Sequence, residues 1–318
     1  MVTIFIDGQA GTTGLQIRDR LKNRDDLSLL AIPPEQRKNP AARRDMLNGC
    51  DIAILCLPDE AAKEAVGLIA EGASTRVIDA SSAFRVHPDW AYGFPELSPQ
   101  QPARIAEAKR VSNPGCYPQG LIALVKPLID AGFMSADYPV TYNAVSGYSG
   151  GGRNMIEQYA AAGANASPYL PYGLTFAHKH LAEMKRYTGL GHAPIFQPAV
   201  GNYAQGMMGC VPIYSELLMK PLSGADAREC LAAAYEGSAF IEAAPFRAME
   251  RAASLRPDAL NDTNRMRLHV FANDANKQLL LMAVYDNLGK GASGAAVQNL
   301  NLMIGAPETL GVDLPRKA

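Results

Sequence analysis

The first 115 residues alternate between short apolar segments and segments with helical periodicity. The apolar segments have the length and composition of buried β-strands, and the segments between them repeat apolar residues at helical spacing. Such alternation is typical of a parallel sheet whose right-handed crossovers place helices on both faces. The predicted strands are VTIFID, LSLLAI, DIAILCLP, TRVIDAS and RVSN. Ligands bind to sheets of this kind at the carboxyl ends of the strands.

The pattern changes at about residue 138, where longer extended segments begin. They predict a mixed or antiparallel sheet with helices, and the final segment GASGAAVQNLNLMIG predicts a helix that returns to the first domain. We therefore predict an α/β protein with a Rossmann-type parallel-sheet domain and a second, α+β domain with a mixed sheet. The first domain comprises residues 1–116 and the C-terminal helix at about 290–318, and the second comprises 117–289.

The composition argues against several classes of partner. Lys and Arg total 30 against 31 for Asp and Glu, so no excess charge favours nucleic acid or an anionic membrane. No apolar segment approaches the length of about 18 residues that spans a bilayer, and the first strand leaves no room for an export signal. Five scattered cysteines without zinc-site spacing indicate a reducing cytoplasm and no metal. We expect a small-molecule partner.

A glycine-rich turn follows the first predicted strand. Gly8, Gly11 and Gly14 form a G-x-x-G-x-x-G array, which departs from the commoner G-x-G-x-x-G. A turn without side chains allows a pyrophosphate to approach the backbone at the helix N-terminus, where Thr12 and Thr13 lie. We predict that these five residues bind a dinucleotide cofactor. A purely structural glycine turn is the alternative.

The loop after the second strand bears on the choice of cofactor. An acidic residue there meets the ribose hydroxyls of NAD, whereas basic residues meet the 2′-phosphate of NADP. Arg37 and Lys38 favour NADP(H), and Glu35 leaves NAD as an alternative cofactor. Two prolines before Glu35 carry the chain away from the sheet edge, so the balance favours NADP(H). A solvated charged loop is the alternative interpretation.

The segment RVSNPGCYPQG places Cys116 where the fifth predicted strand ends and a helix begins. Backbone donors and the positive end of the dipole at a helix N-terminus favour a thiolate, so Cys116 is a candidate nucleophile. A small buried cysteine is the alternative. In a nucleotide-binding fold, a thiolate here suggests attack on an activated acyl group, with hydride exchanged between the covalent intermediate and a nicotinamide.

This chemistry needs an acid–base group, and the segment AHKHLAEM supplies two candidates. His178 and His180 precede a predicted helix, and Glu183 lies three residues after His180. Residues three apart share a helix face, so Glu183 can orient the imidazole of His180, which we favour over His178. The other three histidines have contexts typical of structural residues.

Two arginines lie in segments suited to an anionic substrate. Arg85 ends IDASSAFR after the fourth predicted strand, where a guanidinium can bind phosphate or carboxylate. Arg153 ends the glycine-rich segment SGYSGGGR, which also contains Ser149 as a candidate. A structural ion pair and a plain turn are the respective alternatives.

Together these segments resemble the N-acetyl-γ-glutamyl-phosphate reductases of arginine biosynthesis, in particular the shorter type 2 branch. The matching segments, in chain order, are DGQAGTTGLQI, DASSAFR, YGFPEL, SNPGCYPQG, SGYSGGGR, AHKHLAEM and KGASGAAVQNLN. The resemblance implies a fold like those of aspartate-semialdehyde and glyceraldehyde-3-phosphate dehydrogenases. It implies NADPH-dependent reduction of N-acetyl-γ-glutamyl phosphate to the semialdehyde, with release of inorganic phosphate. Where the family commonly has Arg and Pro-Glu around its second histidine, this chain has Lys179 and Ala182-Glu183.

Carried over, the family's nucleophile falls on Cys116 and its catalytic histidine on His180. Arg85 and Arg153 are then candidates for the substrate's anionic groups, and Asn287 for the nicotinamide end of the cofactor. The resemblance also implies that the α+β domain is the catalytic and dimerisation domain, and we expect a homodimer or homotetramer. The alternatives are the same chemistry on an aspartyl or aminoadipyl phosphate, a cysteine–histidine hydrolase, and a non-catalytic NADP-binding regulator.

Overall fold

The computed structural model describes residues 1–37, 39–246 and 255–314. The chain divides into two compact units, one formed by residues 1–115 and the segment from 292 onward, and one by residues 116–291. Cys116 is the first residue of the second unit, and the last helix belongs to the first. Lys38, a predicted cofactor contact, lies outside the described residues.

The first unit is built on a six-stranded sheet in the order β2-β1-β3-β4-β6-β5, in which every pairing is parallel. Its strands are β1 (Val2–Asp7), β2 (Leu27–Leu30), β3 (Ile52–Leu55), β4 (Arg76–Asp79), β5 (Ala91–Tyr92) and β6 (Arg110–Ser112). The five predicted strands are confirmed, and the sequence analysis missed the two-residue β5. All four residues of β3 are buried, as expected for an inner strand of a sheet covered on both faces.

The helices of the first unit follow the strands as the alternation predicts. They are α1 (Thr12–Leu21), α2 (Pro40–Gly49), α3 (Asp59–Gly67), α4 (Gln101–Glu107) and the final helix, α9 (Gly294–Ile304). The start of α2 shows how local sequence sets a boundary: Pro40 occupies its first turn, and the Asn39 side chain accepts a hydrogen bond from Ala41 N at 2.9 Å.

The second unit contains a seven-stranded mixed sheet in the order β11-β12-β13-β10-β7-β9-β8. Its strands are β7 (Thr141–Gly147), β8 (Tyr169–Pro171), β9 (Ile195–Gly201), β10 (Met207–Tyr214), β11 (Ile241–Ala243), β12 (Met266–Asn273) and β13 (Gln278–Tyr285). Its helices are α5 (Cys116–Asp130), α6 (Gly152–Ala162), α7 (Leu181–Thr188) and α8 (Gly224–Ala234). The predicted mixed sheet is confirmed, and the NDAN turn joins β12 and β13 as an antiparallel hairpin. Within the described ranges, no helix is long and apolar enough to cross a membrane.

Candidate active site

Cys116 is the first residue of α5, and the first turn of this helix is anchored to β13. The Tyr285 hydroxyl donates to the Cys116 carbonyl oxygen at 2.8 Å and accepts from Gly120 N at 3.2 Å. A single phenol thus touches the backbone of the candidate nucleophile and the backbone four residues later. The position of the half-buried Cys116 is therefore fixed from a strand distant in sequence.

A glycine allows this close approach. A Cβ added to Gly120 would lie 2.6 Å from the Tyr285 hydroxyl oxygen and 2.7 Å from that of Tyr142. Burial raises the pKa of both tyrosines, so both remain neutral phenols. A second glycine, distant in sequence, also lies close to the nucleophile: a Cβ on Gly291 would lie 3.0 Å from the Cys116 Cβ.

The two predicted histidines lie beside the residue that follows Cys116. Tyr117 has its ring centroid 6.0 Å from that of His180 and 6.3 Å from that of His178. The two imidazoles are 4.6 Å apart, and Nδ1 of His178 accepts a hydrogen bond from His180 N at 3.1 Å. The structure therefore brings the histidine segment to the first turn of α5, and it locks the backbone of His180 to the side chain of His178.

Helix α7 begins directly after His180, as the sequence predicts, and His180 is its N-cap residue. Glu183 lies in the first turn and is 1% exposed, while His180 is 6% exposed. Both side chains are buried and three residues apart, the spacing at which helix neighbours meet. A buried carboxylate needs polar partners, which makes a neighbouring imidazole suitable. The orienting role of Glu183 stays a prediction.

Sequence reasoning missed the tyrosines around this centre. The Tyr117 hydroxyl donates to the Ala199 carbonyl oxygen at 3.1 Å, and Tyr172 packs its ring 5.8 Å from that of His178. Burial raises the pKa of Tyr172 to about 12, and negative charge on Cys116 adds to the effect. The Tyr172 phenol is therefore a neutral neighbour of the thiol. Tyr117 is signalled by its place next to Cys116, whereas nothing in the sequence marks Tyr172.

Ser149 and Asn287 lie together in the second unit, and Arg153 lies apart on the surface. The Asn287 side chain donates to Ser149 Oγ at 3.0 Å and accepts from Gly206 N at 2.7 Å, and both residues are buried. Arg153 is 72% exposed at its side chain and pairs with Glu157 across one helical turn at 3.6 Å. The Asn287 amide thus forms hydrogen bonds within the protein through both its oxygen and its nitrogen. Arg153 would lose only a weak surface ion pair if it bound a ligand.

Four other thiols are poorly suited to nucleophilic attack. Burial raises the pKa of Cys56 to about 12 and those of Cys50 and Cys210 to about 11, and it also raises the pKa of Cys230. They stay protonated at neutral pH, and a thiol reacts through its thiolate. All five cysteines are free, and the described part of the chain holds no group of three or more residues arranged to bind a metal.

The glycine turn of the first unit is dictated by close backbone contacts. Gly8 has a φ of +85°, and a Cβ there would lie 2.3 Å from the Cys56 carbonyl oxygen. A Cβ on Gly14 would lie 2.6 Å from the Gly8 carbonyl oxygen, whereas the nearest atom to one on Gly11 is 3.5 Å away. The first and third glycines are therefore required by the turn itself. An added side chain at either would displace backbone atoms that hold the turn in shape.

Thr12 and Thr13 are the first two residues of α1, where backbone N–H groups have no partner within the helix. Arg37 follows a single 3₁₀ turn after β2 and lines a groove of about 650 Å³ that also includes Gln9 of the glycine turn. Glu35 is exposed and does not line this groove. The glycine turn and this groove fit a dinucleotide, and a contact of Arg37 with the cofactor stays a prediction.

Arg85 is buried within the first unit and already has partners there. Its Nε donates to the Asn113 carbonyl oxygen and its Nη2 to that of Ala80, each at 3.1 Å. Asp79, at the end of β4, accepts from Ser81 Oγ at 2.6 Å, and burial raises its pKa to about 6 against the opposing effect of the Arg85 charge. The DASSAFR segment is thus a tightly hydrogen-bonded turn, and Arg85 braces the SNPGC loop before Cys116.

Comparison with known proteins identifies both units. Residues 4–105 match the family model described as semialdehyde dehydrogenase, NAD binding domain, and residues 116–287 match that described as semialdehyde dehydrogenase, dimerisation domain. A relative from Chelativorans sp. (strain BNC1), named N-acetyl-gamma-glutamyl-phosphate reductase, is 59% identical over 95% of this chain and 97% of its own. A relative of the same name from Mesorhizobium japonicum is 56% identical over 95% of this chain and 98% of its own.

Solved structures share the fold at low sequence identity. Aspartate semialdehyde dehydrogenase from Francisella tularensis has a TM-score of 0.73 at 15% identity, and the alignment covers 96% of this chain and 100% of that chain. Aspartate semialdehyde dehydrogenase II of Vibrio cholerae, complexed with ASA, has a TM-score of 0.70 at 19% identity, over 96% of this chain and 98% of that chain. These matches confirm the predicted fold class.

Proposed function

Because the chain belongs to the N-acetyl-gamma-glutamyl-phosphate reductase family, we propose that it reduces N-acetyl-γ-glutamyl phosphate to N-acetylglutamate 5-semialdehyde in arginine biosynthesis. NADPH is the reductant and inorganic phosphate is released. The observation that carries the assignment to residues is the placement of Cys116, at the start of α5 and beside the His178–His180 segment. The enzyme is an oxidoreductase, and its second unit matches a dimerisation domain, which supports a homo-oligomer.

Cys116 is the proposed nucleophile. Its thiolate is favoured by the N–H groups and the dipole at the start of α5. Attack on the acyl carbon forms a carbon–sulfur bond, and collapse of the tetrahedral oxyanion breaks the bond to the phosphate oxygen. Phosphate leaves and a Cys116 thioester remains. When bound, NADPH supplies the hydride that reduces this thioester carbon.

His180 is the proposed acid–base group. It takes the proton of the Cys116 thiol before attack and gives a proton to the thiohemiacetal oxygen after reduction. The hydroxyl proton returns to His180 as the carbon–sulfur bond breaks, which releases the aldehyde and restores the thiolate. Glu183 orients the imidazole and stabilises its protonated form. His178 holds the His180 backbone through its Nδ1.

The glycine turn and the loop after β2 are proposed to bind the cofactor. Gly8, Gly11 and Gly14 admit the pyrophosphate, with Thr12 and Thr13 supplying N–H groups at the start of α1. Arg37 meets the 2′-phosphate of the cofactor.

In the same proposal, Arg85 and Arg153 bind the phosphate and carboxylate groups of the substrate. Ser149 and Asn287 shape the substrate and nicotinamide ends. Since the proposed nucleophile is a free thiol and the formal net charge of the chain is only −1, we also propose a cytoplasmic enzyme without a nucleic-acid partner.

Two measurements test this function. In the reverse direction, NADP reduction followed by absorbance should require phosphate and should favour N-acetylglutamate semialdehyde over the aspartate and aminoadipate semialdehydes. In the forward direction, rapid mixing with the acyl phosphate and no NADPH should release about one phosphate per competent Cys116, and Cys116→Ser should abolish this burst. A strong preference for another semialdehyde would refute the assignment of the substrate. Substantial turnover by Cys116→Ser would refute the covalent mechanism.

A further inference from the structure

The groove of about 650 Å³ in the first unit runs along β2, the edge strand of the parallel sheet. Aliphatic side chains of β1, α1 and β2 form much of its wall, and Gln9 and Pro33 lie at the end nearest the glycine turn. Four basic residues line it: Arg18, Lys22, Arg24 and Arg37. None of the described residues that line it is acidic. The groove is therefore suited to an anion.

Two of these four cations already have carboxylate partners. Arg24 donates to both carboxylate oxygens of Asp26 at 2.6 Å, and Lys22 lies 3.6 Å from Asp19. By contrast, no salt bridge joins Arg18 or Arg37 to any acidic residue in the described ranges. Their guanidinium groups are thus available to a ligand.

We expect the Arg18 side chain to reach the same end of the groove as Arg37, since both residues line it. It lies six residues after Thr12, about 9 Å along the axis of α1 from its first residue. Side chains on a helix lean toward its N-terminus, so the Arg18 side chain extends back toward the glycine turn and Gln9. Arg37 approaches this end from the 3₁₀ turn after β2. Lys22, one helical turn beyond Arg18, lies toward the opposite end.

We propose that Arg18 is a specificity-determining residue that binds the 2′-phosphate of NADPH together with Arg37. This inference rests on the proposed function, in which the cofactor lies on the glycine turn. A phosphate monoester carries a charge of about −1.5 to −2 at pH 7, so a single exposed guanidinium leaves part of that charge unmatched. Two guanidinium groups that line the same groove can match this charge and bind the phosphate oxygens with directed hydrogen bonds. NADH lacks this phosphate and gains nothing from Arg18.

The test compares Arg18→Gln with the wild-type enzyme by titration calorimetry, using NADPH, NADH, 2′,5′-ADP and 5′-AMP as probes. Arg18→Gln should weaken NADPH and 2′,5′-ADP about ten- to a hundred-fold, the range for one charge-assisted hydrogen bond. Binding of NADH and 5′-AMP should change less than about twofold. Lys22→Gln is the matched control, because it removes a cation from the same helix and groove and should leave all four affinities nearly unchanged.

The double variant Arg18→Gln/Arg37→Gln adds a second criterion. If both guanidinium groups bind one phosphate, the losses of NADPH affinity caused by the two substitutions should be non-additive, and neither substitution should weaken NADH. Equal weakening of NADPH and NADH by Arg18→Gln, or the same effect from Lys22→Gln, would overturn the assignment of Arg18 while leaving the proposed reductase intact. Failure of the wild-type enzyme to bind NADPH would overturn the proposed function as well, so the two failures are distinguishable.

Discussion

The Tyr285 hydroxyl is predicted to position the nucleophile, and Tyr285→Phe tests this with the smallest change. The variant removes the donor to the Cys116 carbonyl oxygen at 2.8 Å and the acceptor from Gly120 N at 3.2 Å. Phenylalanine fills nearly the same volume, so the loss is mainly polar. A typical hydrogen bond contributes about 1 kcal/mol, and a buried group left without a partner costs about 1–3 kcal/mol.

We therefore expect Tyr285→Phe to lower the free energy of unfolding by about 2 kcal/mol. For proteins of this size class, each 1 kcal/mol shifts the melting temperature by about 2–4 °C, so thermal unfolding should begin about 4–8 °C lower. The catalytic effect should be separate. A loss of about 1.4 kcal/mol in positioning the Cys116 turn corresponds to about tenfold in the rate constant of the phosphate burst.

Tyr235→Phe is the matched control, because the Tyr235 hydroxyl donates to the Ala123 carbonyl oxygen at 3.1 Å, on the same helix and farther from Cys116. It should lower stability by a similar amount and leave the burst unchanged. Alkylation of Cys116 by iodoacetamide, followed by peptide mass spectrometry, gives a second measure of thiolate position. The positioning role would be refuted if Tyr285→Phe kept the wild-type rate constant of the phosphate burst, or if Tyr235→Phe lowered that rate constant equally.

Three further predictions concern the other proposed contacts. His180→Asn should lower kcat about 10²- to 10⁴-fold with little change in NADPH affinity. His178→Asn should lower kcat less, because the Asn side chain can still accept the hydrogen bond from His180 N. If steady-state kinetics showed the reverse ranking, the acid–base role would pass to His178. Arg85→Leu should raise KM for phosphate in the reverse reaction. It should also lower the melting temperature, since it removes the guanidinium that donates to two backbone carbonyl oxygens. A change in melting temperature alone would make Arg85 purely structural. Replacing Arg37 and Lys38 together by Ala should weaken NADPH and leave NADH nearly unchanged in fluorescence titrations, and equal weakening of both would contradict the assignment of this loop.

The sequence by itself determined the features that depend on local periodicity and on backbone geometry. Five strands of the parallel sheet follow from short apolar segments separated by helical ones. The junction at Cys116 follows from Asn-Pro-Gly, which ends an extended segment where a helix then begins. Gly8 and Gly14 mark the turn because their backbones contact other backbone atoms too closely for a side chain. The short strands β5, β8 and β11 carry too few residues for a periodic signal, and they form only because neighbouring strands offer partners.

Only the tertiary structure decided which side chains surround the candidate nucleophile and which cations share a groove. Tyr285 is 169 residues from Cys116 in the chain, and its contact depends on the order of β13 in the mixed sheet, which no local pattern encodes. For Arg85, the tertiary structure adds that Nε and Nη2 of the buried guanidinium donate to backbone carbonyl oxygens, and its role in substrate binding stays a prediction. Arg18 carried no signal at all. Its relation to Arg37 arises because both residues line one groove, and the face that α1 turns to this groove is set by the burial of apolar residues elsewhere on the helix.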